Sequence, residues 1–156
     1  MKRAGFTMIE LIFVIVILGI LAAVAIPKLA ATRDDAKIAA MATNVNQIVS
    51  DAVAHYTAQG DLNVSNGAQW KAVTNVEQSS GDFVFTDSSV SYKNKATDKE
   101  CGTIVYVAPV GDVPATLTTT AKNVTDPICT GVNARMGLTT ADTNNSVTLG
   151  GSSVTF

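Results

Sequence analysis

At 156 residues, with a mean hydropathy of +0.26 and a formal charge of −2, the chain has room for one small folded domain plus a segment more apolar than such a domain needs. The slightly acidic balance excludes the strongly basic footprint of a nucleic-acid-binding protein. One histidine and two cysteines cannot supply the four Cys or His ligands of a structural zinc centre.

The first element is an apolar run over residues 6–26 in which Glu10 is the single ionisable side chain. At about 1.5 Å per helical residue this run matches a hydrocarbon core of roughly 30 Å, so it is long enough to span a membrane. Lys2 and Arg3 precede it, which by the positive-inside tendency holds the N-terminus on the cytoplasmic side and sends everything after Pro27 across. A carboxylate within such a helix costs on the order of 3 kcal/mol on insertion scales, so Glu10 needs either a partner or a route to the interface one turn away. Ala23-Val24-Ala25 leaves two rival readings open: an ordinary secretory signal cut near Ala25, or an uncleaved anchor on a monomeric extracytoplasmic protein. Against a secretory signal stand the charge inside the run, the length of the apolar core, and a helical pattern that runs through the cleavage point.

Lys2-Arg3-Ala4-Gly5 followed by Phe6-Thr7-Met8-Ile9-Glu10-Leu11 resembles the class III signal of type IV pilins and type II secretion pseudopilins. The resemblance implies a leader of residues 1–5, cutting between Gly5 and Phe6 by a prepilin peptidase, and methylation of the new Phe6 amine. It also implies storage in the inner membrane, an inner-membrane assembly platform, and polymerisation with like subunits into a periplasmic or surface filament. Glu10 of an incoming subunit would then neutralise the Phe6 amine of its neighbour and fix the axial register, because opposite charges attract far more strongly in low dielectric than in water. Gly19 and Pro27 punctuate the helix, Gly costing about 1 kcal/mol in its interior and Pro removing a backbone hydrogen bond, so a kink is expected near Pro27. By resemblance, the stretch between them can lose helical structure in assembled filaments.

Beyond Pro27 the sequence turns polar. Ile38, Met41, Val45, Ile48, Val49, Ala52, Val53 and Tyr56 recur at spacings of three and four, which predicts an amphipathic helix over residues 28–59 that ends at Gly60. Residues 6–59 thus read as one nearly continuous helix. Arg33, Asp34, Asp35 and Lys37 read as a solvated face, and His55, at the edge of the stripe, as a structural or surface residue.

Residues 60–156, rich in Thr, Ser, Asn, Val and Gly, suit one small domain of short strands. A helix is expected over residues 68–76 with Trp70 and Val73 inward, then strands at 82–85, 90–93, 103–108, 115–119, 147–149 and 154–156. The fold class is α+β and pilin-like: a long N-terminal helix whose second half packs on a small antiparallel sheet. Cys101 and Cys129, an even pair in an extracytoplasmic domain, read as a disulfide. Many type IV pilins carry one toward the C-terminus, but here the chain runs on well past Cys129.

Asn63 and Asn144 head glycosylation-type sequons, each with an acidic residue two positions earlier, Asp61 and Asp142, whereas Asn123-Val124-Thr125 lacks it. Secretion-type major pseudopilins usually bind calcium near the C-terminus, but after Cys129 only Asp142 is acidic, with Asn144 and Asn145 beside it, and no calcium loop can be defended. Tyr92 among Lys93, Lys95 and Lys99 is a weak nucleic-acid signal, diluted by Asp98 and Glu100, and direct binding is not expected. The chain shows no nucleophile elbow, phosphate loop or zinc motif, so the reading is a non-enzyme without cofactor or metal. Its expected role is a filament subunit serving a surface pilus, type II secretion or DNA uptake.

Overall fold

The computed structural model describes residues 5–77, 81–122, 125–138 and 143–150. They fall into two units, residues 1–36 and residues 37–156. Helix α1 (Met8–Gln59) runs through both without interruption, Pro27 included. In the first unit every described side chain is exposed, among them a large apolar series from Phe6 to Leu29. This helix is long and apolar enough to cross a membrane.

In the second unit the expected stripe is the buried face of α1. Met41, Ala42, Val45, Ile48 and Ala52 are buried, and Ile38, Val49, Val53 and Tyr56 pack at the margin of the same core. The helix stops where Gly60 takes a φ of +80° and its N–H reaches the Tyr56 carbonyl at 2.8 Å, a left-handed stop that glycine adopts without a Cβ clash.

Helix α2 (Trp70–Val73) is shorter than the expected 68–76. Thr74 is already extended, and its hydroxyl donates to Asp51 Oδ2 at 2.8 Å, so the chain is tied back to α1 instead of continuing the helix. Trp70 and Val73 are buried as expected, with Trp70 Nε1 donating to the Thr86 carbonyl.

The sheet is an antiparallel meander in chain order: β1 (Phe83–Phe85), β2 (Ser89–Asn94), β3 (Lys99–Val107), β4 (Ala115–Ala121) and β5 (Asn144–Leu149). The layout is α+β, the long helix packed against this small sheet. Alternation puts Phe83, Phe85, Val90, Tyr92, Ile104, Tyr106, Ala115 and Leu117 on the core side. Each expected strand within the described residues has a counterpart, while the one at 154–156 lies outside them. β3 begins four residues earlier than expected because Gly102 admits Tyr92: a Cβ there would collide with the Tyr92 hydroxyl and the Thr120 carbonyl.

Helix α3 (Pro127–Arg135), between β4 and β5, was not expected from apolar periodicity. Its caps explain it. Asp126 accepts from the N–H groups of Ile128 and Cys129, Pro127 fills the first turn, and Gly137 takes a φ of +75° just past the end.

Candidate functional site

The N-terminal site is built from the start of α1. Gly5, Phe6 and Thr7 precede the helix and are exposed, so the peptide bond expected to be cut lies just outside regular structure. Thr7 and Glu10 form a reciprocal capping box. Glu10 Oε2 accepts from the Thr7 N–H at 2.8 Å and from the Thr7 hydroxyl at 2.7 Å, while the Glu10 N–H donates to Thr7 Oγ1 at 3.4 Å. In the uncut chain the Phe6 nitrogen is an uncharged amide, and Glu10 satisfies its carboxylate on the adjoining turn instead. Thr7 is therefore a site residue that the apolar run masks. Its signal is the Thr-x-x-Glu spacing ahead of an apolar segment. Lys2 and Arg3 lie outside the described residues.

Gly19 and Pro27 both sit within the continuous helix. A Cβ at Gly19 would meet no heavy atom within 4 Å, so nothing in the single chain demands glycine there.

The second constellation is in the folded domain. Cys101 on β3 and Cys129 on α3 are disulfide-bonded, with a Cα separation of 4.7 Å, and both are buried. Beside them Asp126 is the centre of a buried network, accepting from Thr97 Oγ1 at 2.7 Å and from Asn94 Nδ2 at 3.0 and 3.1 Å as well as capping α3. Burial raises the cost of its charge, but the hydrogen bonds from Thr97, Asn94 and the helix N–H groups outweigh that and hold the carboxyl below the usual range. Tyr92 donates to Asn133 Oδ1 at 2.9 Å, and burial pushes its hydroxyl up to about 12. The ring that sequence placed among three lysines is thus core and is not available to stack on a base.

At the far end of β3, Tyr106 donates to Asp61 Oδ1 at 2.7 Å, and this bond, with the Asn63 N–H, lowers the Asp61 carboxyl. Asn63, at a φ of 48°, is exposed between buried Leu62 and Val64, so its sequon is pinned by its neighbours. Asn144 opens β5 on an exposed stretch. Asp142 and Asn123 lie outside the described residues. Among the described residues, no three His, Cys, Asp or Glu side chains come together as a metal set.

With this geometry in place, comparison with known proteins addresses the N-terminus. Residues 1–26 match the family model of the prokaryotic N-terminal methylation motif. The chain therefore begins with a class III prepilin signal of the type IV pilin kind. Neither a curated protein nor a solved structure matches the chain. The prepilin signal and the apolar helix behind it fit a single-pass, membrane-anchored protein and point to a structural subunit assembled with other pilin-like chains after peptidase processing.

Proposed function

We propose that this chain is a pilin or pseudopilin, a structural subunit of a type IV pilus-like filament. The observation that carries this reading is the methylation motif over residues 1–26 leading directly into a helix whose apolar side chains are uncovered. In this reading residues 1–5 are the leader, 6–27 the membrane and filament-core helix, 28–59 the amphipathic helix and 60–156 the outer domain. A prepilin peptidase cuts between Gly5 and Phe6 and the Phe6 amine is methylated, which leaves its positive charge in place. The inner membrane stores the subunit with its outer domain beyond the cytoplasm, and an assembly platform feeds it into the filament.

The assembly step follows from the Thr7–Glu10 box. Cutting creates a cation at Phe6 four residues from the carboxylate, within the same apolar layer. A neighbour's amine can then take over Glu10, and mispaired registers are penalised because each leaves an unpaired charge in low dielectric. Surface pili, type II secretion and DNA uptake share this assembly chemistry, and the reading covers all three.

The test is the intact mass and N-terminal sequence of the protein purified from its native host. Methylated Phe6 is the expected result. An N-terminus at Ile26 would make it a secreted domain, and an intact Met1 a plain membrane anchor; either would overturn the proposal.

A further inference from the structure

Residues 65–69 form the turn that leads into α2, and it contains the chain's single Asn-Gly pair, Asn66-Gly67. Every other asparagine in the chain is followed by a residue with a side chain. The difference is chemical. A backbone nitrogen can attack the carboxamide carbon of the asparagine before it, and a Cβ on the attacking residue stands in the way. Gly67 has none.

The fold arranges both partners of this reaction. Asn66 Oδ1 accepts from the Ala68 N–H at 3.0 Å, which folds the side chain forward over the Asn66–Gly67 peptide. The same bond polarises the carboxamide and has the length of a donor that stabilises a developing oxyanion. The main chain of Asn66 is fixed as well: its N–H donates to Gln69 Oε1 at 3.2 Å, and its carbonyl accepts from the Gln69 N–H at 3.1 Å. Between these anchored groups the Gly67 N–H donates to nothing among the described residues, so no bond from it must break before it attacks. Asn66 is exposed, so water reaches it.

Packing demands the glycine. A Cβ at Gly67 would collide with the Phe85 carbonyl on β1, so a larger residue there would have to move the strand. Phe85 in turn packs on Trp70 with ring centroids 6.2 Å apart, and Trp70 Nε1 donates to the next carbonyl, that of Thr86, at 3.0 Å. The pair is thus braced against the surroundings of the only tryptophan in the chain.

We infer that Asn66-Gly67 is a self-modification site whose co-reactant is water, and that its conversion loosens the contact of the 65–69 turn with β1. The Gly67 nitrogen gives its proton to hydroxide and bonds to Asn66 Cγ. The Cγ–Nδ2 bond breaks, ammonia leaves with a proton from water, and a cyclic imide remains. Water then opens the ring. Breaking the nitrogen–Cγ bond gives aspartate, whereas breaking the bond from nitrogen to the main-chain carbon gives isoaspartate, with the backbone running through Cβ and Cγ. Overall one water is consumed and one ammonia released. Isoaspartate lengthens the main chain by one carbon beside a glycine with no room even for a Cβ, and both products add a negative charge. Ammonia is not recaptured, so the converted fraction records the time since folding. This holds independently of the filament reading.

The test ages the full, detergent-solubilised chain in mildly alkaline buffer, folded and in parallel unfolded in denaturant. Peptide mapping and an enzymatic isoaspartate assay follow Asn66. Conversion in the folded chain is expected to keep pace with the unfolded chain, to rise with pH, and to outrun every other asparagine. A fall of about tenfold or more on folding would mean that a hydrogen bond must first be broken, and it overturns the inference, as does faster conversion elsewhere in the folded chain. A smaller change supports it. Trp70 fluorescence is expected to shift in step with isoaspartate. Asn66→Asp, which carries the charge without the longer main chain, should emit like the fresh native chain. Asn66→Ser keeps an oxygen for the Ala68 N–H and forms no imide, so its emission should stay constant through the same ageing. Constant emission from the native chain while isoaspartate accumulates sinks the coupling to β1.

Discussion

Glu10 and Asp126 are both carboxylates at the start of a helix, and they differ in what surrounds them. Among the described residues Glu10 is bonded to Thr7 on an exposed helix, and under the proposed assembly these are the bonds that a neighbour's cation would replace. Replacing Glu10 with Ala should leave membrane insertion intact while abolishing efficient assembly, read by shearing and blotting. Normal filament yield would remove the pairing argument. Asp126 instead serves Asn94, Thr97 and two helix N–H groups in a buried site, and Asp126→Ala strands all of them. The expected cost is about 2 kcal/mol or more, seen as a lowered midpoint in denaturant. Its folded pKa lies below the unfolded value of about 3.9, so the stability it contributes is complete above that value and is lost as pH falls through the folded one. The Ala variant should therefore show a shallower loss of stability on acidification below about pH 4 than the native chain.

At the scale of elements, the sequence announces those whose burial is periodic and is silent about those made by their ends. The stripe from Ile38 to Tyr56 and the alternation through β2 and β3 are read directly, because a face that packs must repeat at 3.6 or 2 residues. Helix α3 has Thr130 and Gly131 in its interior and little periodicity. What specifies it is Asp126, Pro127 and Gly137, signals of position that a search for apolar faces passes over. The Thr7–Glu10 box is hidden for a related reason: two polar residues vanish in an apolar run long enough to explain itself. The pairing of Cys101 with Cys129 was expected from compartment, but no spacing could say that it joins the centre of the sheet to a helix. Reducing that bond should lower stability by about 3 kcal/mol, visible as a fall in the thermal midpoint of the detergent-solubilised chain on adding thiol. An unchanged midpoint would mean that α3 is held by packing alone. Gly102→Ala should destabilise the same region by displacing Tyr92 from Asn133.

For the whole molecule, the proposed filament reading makes processing the step on which assembly depends. Gly5 lies outside the helix and its side is open, so a bulky substitution there need not disturb the fold. Gly5→Leu is expected to block cutting, leaving Lys2 and Arg3 attached and the chain in the membrane pool; the measurement is the shift of the chain on a blot. The prepilin signal is legible in the sequence because its residues are adjacent along the chain. The buried network at Asp126 is not, since Asn94, Thr97 and the start of α3 come together only when β2 and α3 fold to one place.

The covalent link between β3 and α3 also bears on how the domain survives proteolysis. The loop that it closes contains all of β4 and the approach to α3, so a protease that nicks the chain anywhere between Cys101 and Cys129 releases nothing. The severed chain remains one molecule, with β4 still paired to β3 on one side and β5 on the other. A nicked chain thus keeps its fold, and the break would be revealed only on a reducing gel.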